Sequence, residues 1–186
     1  MVSLAAVHVD APPGTDILLE RTAEALRARG VRLAGVVQTN TARANRARCD
    51  MNLAVLPTGR IVRISQDRGE GARGCHLDHG ALEEAVVQVE QTIRSRRPDL
   101  VIINKFGKQE AQGRGFVPVI SAALEAGVPV LVGVSNLNRG EFETFASGLA
   151  RKLPPDGDAV LDWCLTASGR TATLSQAESK VTASVA

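Results

Sequence analysis

The stretch Asp99-Leu-Val-Ile-Ile-Asn-Lys-Phe-Gly-Lys-Gln-Glu110 decides how the rest of the chain is read. Leu100 to Ile103 is wholly apolar, the pattern of a strand covered on both faces. It stops at Asn104, Lys105 and Gly107, which are polar or turn-forming. In an open α/β sheet the outer ends of such strands are where ligands bind. Asn104 and Lys105 are therefore the first candidate site residues.

Similar runs recur on either side. Residues 3–9 read as a strand, and Asp10-Ala-Pro-Pro-Gly14 as a turn. An amphipathic helix follows over 16–29, with Asp16 near its start and Gly30 at its stop. A second strand, Val31 to Val37, completes a β-α-β unit. Residues 52–55 and 60–65 flank Pro57-Thr58-Gly59 and read as a small antiparallel β insertion at about 50–65. Residues 66–79 read as a long exposed loop. Helices are expected over 77–96, 117–126 and 139–153, and strands over 128–134 and 160–164. Glu83, Glu84 and Glu90 lie towards the start of the 77–96 helix and Arg94 and Arg96 at its end, as its dipole favours. The fold class is α/β: one domain over residues 1–167, then a Ser/Thr/Ala-rich flexible tail over 168–186.

Composition narrows the function classes. With 186 residues and 44% hydrophobic content, one sizeable core is expected. Aromatics are only 3%, so Val, Leu, Ile and Ala must fill it. A net charge of +2, with no basic stripe among aromatics, argues against nucleic acid. No apolar run reaches the roughly 18 residues of a membrane span. The first residues look like a strand and are read as no signal peptide. Cys49, Cys75 and Cys164 are an odd set without a disulfide framework, which fits a reducing cytoplasm.

The turn after the first strand has the outline of a phosphate loop without its chemistry. Such a loop needs glycines, a Lys for phosphate charge and a Ser or Thr for magnesium. Ala11-Pro-Pro-Gly-Thr-Asp16 keeps Gly14 and Thr15 and lacks the Lys. Asp16 puts negative charge where a phosphate would sit, which argues against ordinary ATP hydrolysis. The helix start still offers amides to an oxyanion, or to its own Asp cap. His8 and Asp10 fall on one face at the strand end. His8 reads as a packed polar residue, and Asp10 as a position for a ligand or magnesium.

Two cysteine-containing segments could carry special chemistry. Cys49, Asp50, Cys75, His76 and His79 have the donor types of a zinc, copper or iron site. No CxxC or HExxH fixes two ligands in advance, so reduced cysteines on a surface loop are the alternative. A thiol nucleophile would need His76 or His79 oriented against Cys75. Arg46, Arg48, Arg63, Arg68 and Arg73 could instead grip a tetrahedral anion. Gln38, Asn40, Ser65 and Gln66 would add neutral hydrogen bonds, and Lys105 a charge where an NTPase places acid. Glu110 either accepts from a backbone amide or pairs with Lys108.

The late segment resembles the THEP1-type nucleoside-triphosphatases of the P-loop NTPase superfamily. Their Walker B strand runs into D-E-I-G-x-x-E; here Gly107 and Glu110 match, while Asn104 and Lys105 replace the acidic pair. The chain is identified more closely as a member of the DUF2478 family. Its look is Leu33-Ala-Gly-Val-Val-Gln38, Arg48-Cys-Asp-Met-Asn-Leu53, Arg63-Ile-Ser-Gln66, Gly74-Cys75-x-Leu77-Asp78 and Asn104-Lys-Phe-Gly107. The resemblance implies a three-layer, P-loop NTPase-like, mostly parallel sheet with degenerate Walker motifs. By genomic company it also implies a link to molybdate uptake.

The resulting expectation is non-hydrolytic binding of molybdate or tungstate. The site would gather Asp10, Gly14, Thr15, Gln38, Cys49, Arg63, Gln66, Arg73, Cys75, Asn104 and Lys105. A divergent nucleotide-binding or ATP/Mg-dependent hydrolase and a protein-interaction module remain as alternatives. Expected partners are a small anion, a second copy of the chain and the molybdate-uptake machinery.

Overall fold

A computed structural model describes residues 3–11, 14–42, 49–66 and 76–170. The strands are β1 (Leu4–Val7), β2 (Leu33–Ala42), β3 (Cys49–Leu56), β4 (Arg60–Arg63), β5 (Ser65–Gln66), β6 (His76–Leu77), β7 (Leu100–Phe106), β8 (Val130–Val134) and β9 (Ala150–Lys152). The helices are α1 (Gly14–Ala28), α2 (His79–Arg96), α3 (Lys108–Ala111), α4 (Val117–Glu125), α5 (Arg139–Ala146) and α6 (Gly157–Ala167).

Seven strands form one sheet in the order β4-β3-β2-β7-β8-β1-β9. From β2 to β9 all neighbours are parallel, and β3 and β4 add an antiparallel edge. The expected β insertion is thus part of the main sheet, with β3 pairing to β2 from Gly35↔Leu56 to Ala42↔Cys49. Strand alternation divides the core in two. Ala6, Val36, Ile103 and Val132 pack with α2, α4 and α5 on one face. Ala5, Val7, Ile102 and Leu131 pack with α1 and α6 on the other. Helix α1 meets the sheet through Leu19, Ala23 and Leu26, spaced along one helical stripe. Helix α2 is capped by Asp78, whose carboxylate accepts from the Ala81 N–H at 3.0 Å.

Several sequence expectations change. The 139–153 helix ends at Ala146, because Ser147 and Gly148 both take positive φ (47° and 78°). The chain then turns into β9, a parallel partner of β1. The expected strand at 160–164 is helix α6: Asp156 caps it by accepting from Ala159 N–H at 2.9 Å, and Val160, Cys164 and Leu165 bury a helical face. Strand β7 runs on through Asn104 and Lys105 to Phe106. Of the expected 66–79 loop, Gln66 and His76 are paired as the ends of a two-stranded ribbon, and 67–75 lie outside the described residues. Residues 168–170 of the expected tail are fixed, and 171–186 lie outside the described residues. No helix among the described residues is long and apolar enough to cross a membrane.

The sheet end opposite the ligand-facing end is tied by Asp99. Its carboxylate accepts from the Arg32 side chain at 2.5 and 3.1 Å, the Arg32 N–H at 2.9 Å and Arg170 at 2.6 Å. Burial would raise this carboxyl, but the Arg32 and Arg170 contacts outweigh it and hold it at about 2, against an ordinary 3.8. A depressed folded-state value contributes stability that is full above about pH 4 and lost as pH falls towards 2. Urea unfolding of wild type and Asp99→Asn is expected to show a gap at neutral pH that closes across this acid window.

Candidate functional site

The carboxyl ends of β1, β7 and β8 meet the start of α1. Between Asn104 and Phe106 the β7–β8 register shifts. Asn104 lies against α1, and Lys105, which simple alternation would send to the other face, also reaches it. The Lys105 ammonium donates to both Asp16 carboxylate oxygens, at 3.3 and 3.4 Å. Asp16 is buried in the first turn of α1, and Lys105 is about one-third exposed above it. The charge that sequence reasoning offered to an anion is therefore already matched by a carboxylate of the chain.

Beneath this pair lies Asn104, fully buried, and neither its amide oxygen nor its amide nitrogen has a hydrogen-bond partner. No other buried side-chain polar atom among the described residues is left so. Gly133 of β8 makes the space. A Cβ there would come within 2.6 Å of Leu19, 3.0 Å of Thr15 and 3.1 Å of the Asn104 amide oxygen. Asn104 thus sits under the first turns of α1. The other loop residues are engaged locally: the Gly14 N–H donates to Ala11 O at 2.8 Å, and the Thr15 hydroxyl accepts from Val9 N–H at 2.9 Å.

Glu110 resolves to its first sequence alternative. It is buried and accepts from the Gly107 N–H at 2.9 Å and the Phe116 N–H at 3.0 Å. Burial pushes its carboxyl up, and the amide hydrogen bonds pull the other way. It closes the β7–α3–α4 connection.

Asp10 is exposed, with His8 Nε2 at 3.2 Å and Arg139 at 3.7 Å. His8 Nδ1 lies 2.8 Å from the Val134 carbonyl, so it donates there. Arg139 is a neighbour that sequence reasoning missed, because nothing in the sequence says that the start of α5 returns to β1.

The remaining candidates lie further along the same sheet end. Gln38 is buried and already engaged. Arg63 donates to the Ser65 hydroxyl at 3.4 Å, and Gln66 hydrogen-bonds the Asp78 carboxylate. β4 lies three strands from β7, and β1 two strands from it on the other side. At about 4.8 Å per strand, Arg63 and Asp10 are about 24 Å apart along the sheet edge. One tetrahedral oxyanion cannot touch both.

Arg73 and Cys75 lie outside the described residues, as do the side chains of Cys49, Asp50 and His76. Of the metal-ligand candidates only His79 has a described side chain, exposed at the start of α2. The described residues contain no group of three or more potential metal ligands. Cys164 is buried in α6, and burial pushes its thiol up to about 12, which makes it inert.

The chain matches the family described as "Protein of unknown function (DUF2478)" over residues 4–163. It belongs to that family. It is also 36% identical over 155 residues to a protein named molybdenum import ATP-binding protein ModC 2, from Bradyrhizobium diazoefficiens. That match covers 83% of this chain and 17% of the relative, so the chain corresponds to a small part of that protein. The fold is similar to the solution structure of a human cancer-related nucleoside triphosphatase, with a TM-score of 0.58 and 16% identity over 81% of this chain and 87% of that one. The DUF2478 chain thus has a fold similar to that of a nucleoside triphosphatase, with Asn104, Lys105 and Asp16 at the carboxyl end of its sheet.

Two stability outcomes test this geometry. Asn104→Leu removes an unpaired buried amide and is expected to stabilise the ligand-free protein by about 1–3 kcal/mol in chemical denaturation. Glu110→Ala leaves the buried Phe116 N–H and the half-buried Gly107 N–H unmatched and is expected to destabilise it by about 2–4 kcal/mol in the same assay.

Proposed function

We propose that this DUF2478 chain binds an oxyanion, molybdate or tungstate, without hydrolysing a nucleotide, and serves molybdenum import. The observation that carries this reading is the buried, unpaired Asn104 amide beneath the Lys105–Asp16 pair. A buried polar group left without partners is destabilising and rare in a core. It is accounted for if a polar ligand completes it. A tetrahedral oxyanion offers the right chemistry: its oxygens accept from an amide NH₂ and from an ammonium, and a protonated form also donates. The positive end of the α1 dipole favours the same charge.

Hydrolysis is disfavoured by the residues present. The position of the acidic pair holds Asn104 and Lys105, and no lysine of the phosphate-loop type stands at the start of α1. A triphosphate would also meet the Asp16 carboxylate at the helix start. Asp16 behaves as a resident stand-in for the anion: a ligand takes its place on Lys105 as the pair parts. The import link rests on the name of the ModC relative, and the small share of that protein matched fits an accessory ligand-binding segment. The cytoplasm is the compartment this role requires.

Isothermal titration calorimetry with molybdate, tungstate, sulfate and MgATP tests the reading. Saturable one-to-one molybdate or tungstate binding is expected, with no phosphate release from MgATP. Lys105→Met should weaken binding by about tenfold or more, the worth of one charge-assisted hydrogen bond. Asp16→Asn should tighten it by about tenfold, because the competing carboxylate is gone. Heatless titrations with both oxyanions, or binding indifferent to Lys105→Met, would refute the proposal.

A further inference from the structure

On the opposite face of β1 from α1, a cleft of about 540 Å³ runs between α5 and β9. We infer that it is a second small-molecule site, one that takes an amphipathic organic anion: an apolar body ending in a carboxylate, sulfonate or phosphate.

The cleft follows from small residues placed where the sheet ends. β9 is three residues long and pairs with β1. Ala6 on β1, Ala146 on α5, and Gly148 and Ala150 leading into β9 leave the space beneath the helix unfilled. Phe142, Leu153 and Pro155 complete an apolar lining. The wall on the helix side is held in place, because Phe142 stacks edge-on against Phe106 at 5.2 Å and Phe145 lies 5.4 Å from the same ring. A concave apolar volume of this size with a few convergent polar groups is the usual form of a small-molecule pocket.

The rim carries two cations and two carboxylates. Lys152 on β9 reaches Glu143 on α5 at 2.6 Å. His8 spends its Nδ1 proton on the Val134 carbonyl, so the cation that faces Asp10 is Arg139. Its nitrogen lies 3.7 Å from Asp10, beyond hydrogen-bond reach, and its charge also acts on Glu143. Held to Asp10 without a hydrogen bond, its planar fork can turn two parallel N–H groups to a carboxylate, sulfonate or phosphate. Lys152 and Glu143 are both more than half exposed, so their pair holds weakly and opens readily to an entering ligand. The anionic end would lie on Arg139, with Lys152 as a second contact, and the apolar body against Phe142 and Leu153.

Anilinonaphthalenesulfonate has this build and brightens in an apolar environment. Its fluorescence titration against the full chain is expected to saturate at one site. Arg139→Gln and Lys152→Gln change exposed side chains and should each lower its affinity by about fivefold or more. Ala150→Phe fills the cleft and should abolish binding, with a thermal melt confirming that the variant is folded. Lys105→Met should leave the affinity unchanged, which separates this cleft from the oxyanion position beside α1. Failure to saturate, indifference to both Gln variants, or equal loss in Lys105→Met would each overturn the inference.

Discussion

Everything at the ligand-facing end of the sheet turns on the contact between the Lys105 ammonium and the Asp16 carboxylate. It joins the end of β7 to the first turn of α1 and closes over Asn104. Asp16 alone would be a buried carboxylate at the helix start, and Lys105 alone would be an uncompensated cation at a buried strand end. Each makes the other tolerable. Gly133 is part of the same constraint, since a Cβ there would press on the Leu19 and Thr15 side chains of α1 and on the Asn104 amide.

The two ends of the strands are held by different clusters. At the amino end of β7, Asp99 gathers Arg32 and Arg170 and fastens the return of α6. At the carboxyl end, Glu110 spends its hydrogen bonds on the Gly107 and Phe116 amides and holds the connection that follows β7. Both are fully satisfied clusters. Asn104 is not, and it lies at the end where α/β sheets bind ligands. An aliphatic residue would pack here without leaving an amide unpaired, and this is the observation on which the binding proposal rests.

The fold was largely legible in the sequence. The apolar runs around Ile102, Val132 and Val36 mark buried strands, and the stripe Leu19-Ala23-Leu26 marks a helix on their face. Two errors share one cause: residues 139–153 and 160–164 are short segments in which apolar spacing suits helix or strand equally. Ser147-Gly148 and Asp156-Gly157, the stop and start signals there, decide the matter. The candidate site was legible in kind and less so in geometry. Asn104, Lys105 and the α1 start converge as residue types suggested. The register shift that turns Lys105 to Asp16 depends on β8 pairing, which no local pattern encodes. Arg63 and Gln66 share the sheet end with them, but strand order places them too far along it for one small ligand. Arg139 and Lys152 went unread because their placement on one cleft, from α5 and β9, is purely tertiary.

The most direct test of the central claim is a crystal structure of the protein with tungstate, located by its anomalous scattering. The account predicts one strong tungsten peak at the start of α1, within hydrogen-bond distance of Lys105 Nζ and the Asn104 amide, with Asp16 displaced from Lys105. An intact Lys105–Asp16 pair, with no tungsten peak beside it at saturating tungstate, would contradict the account.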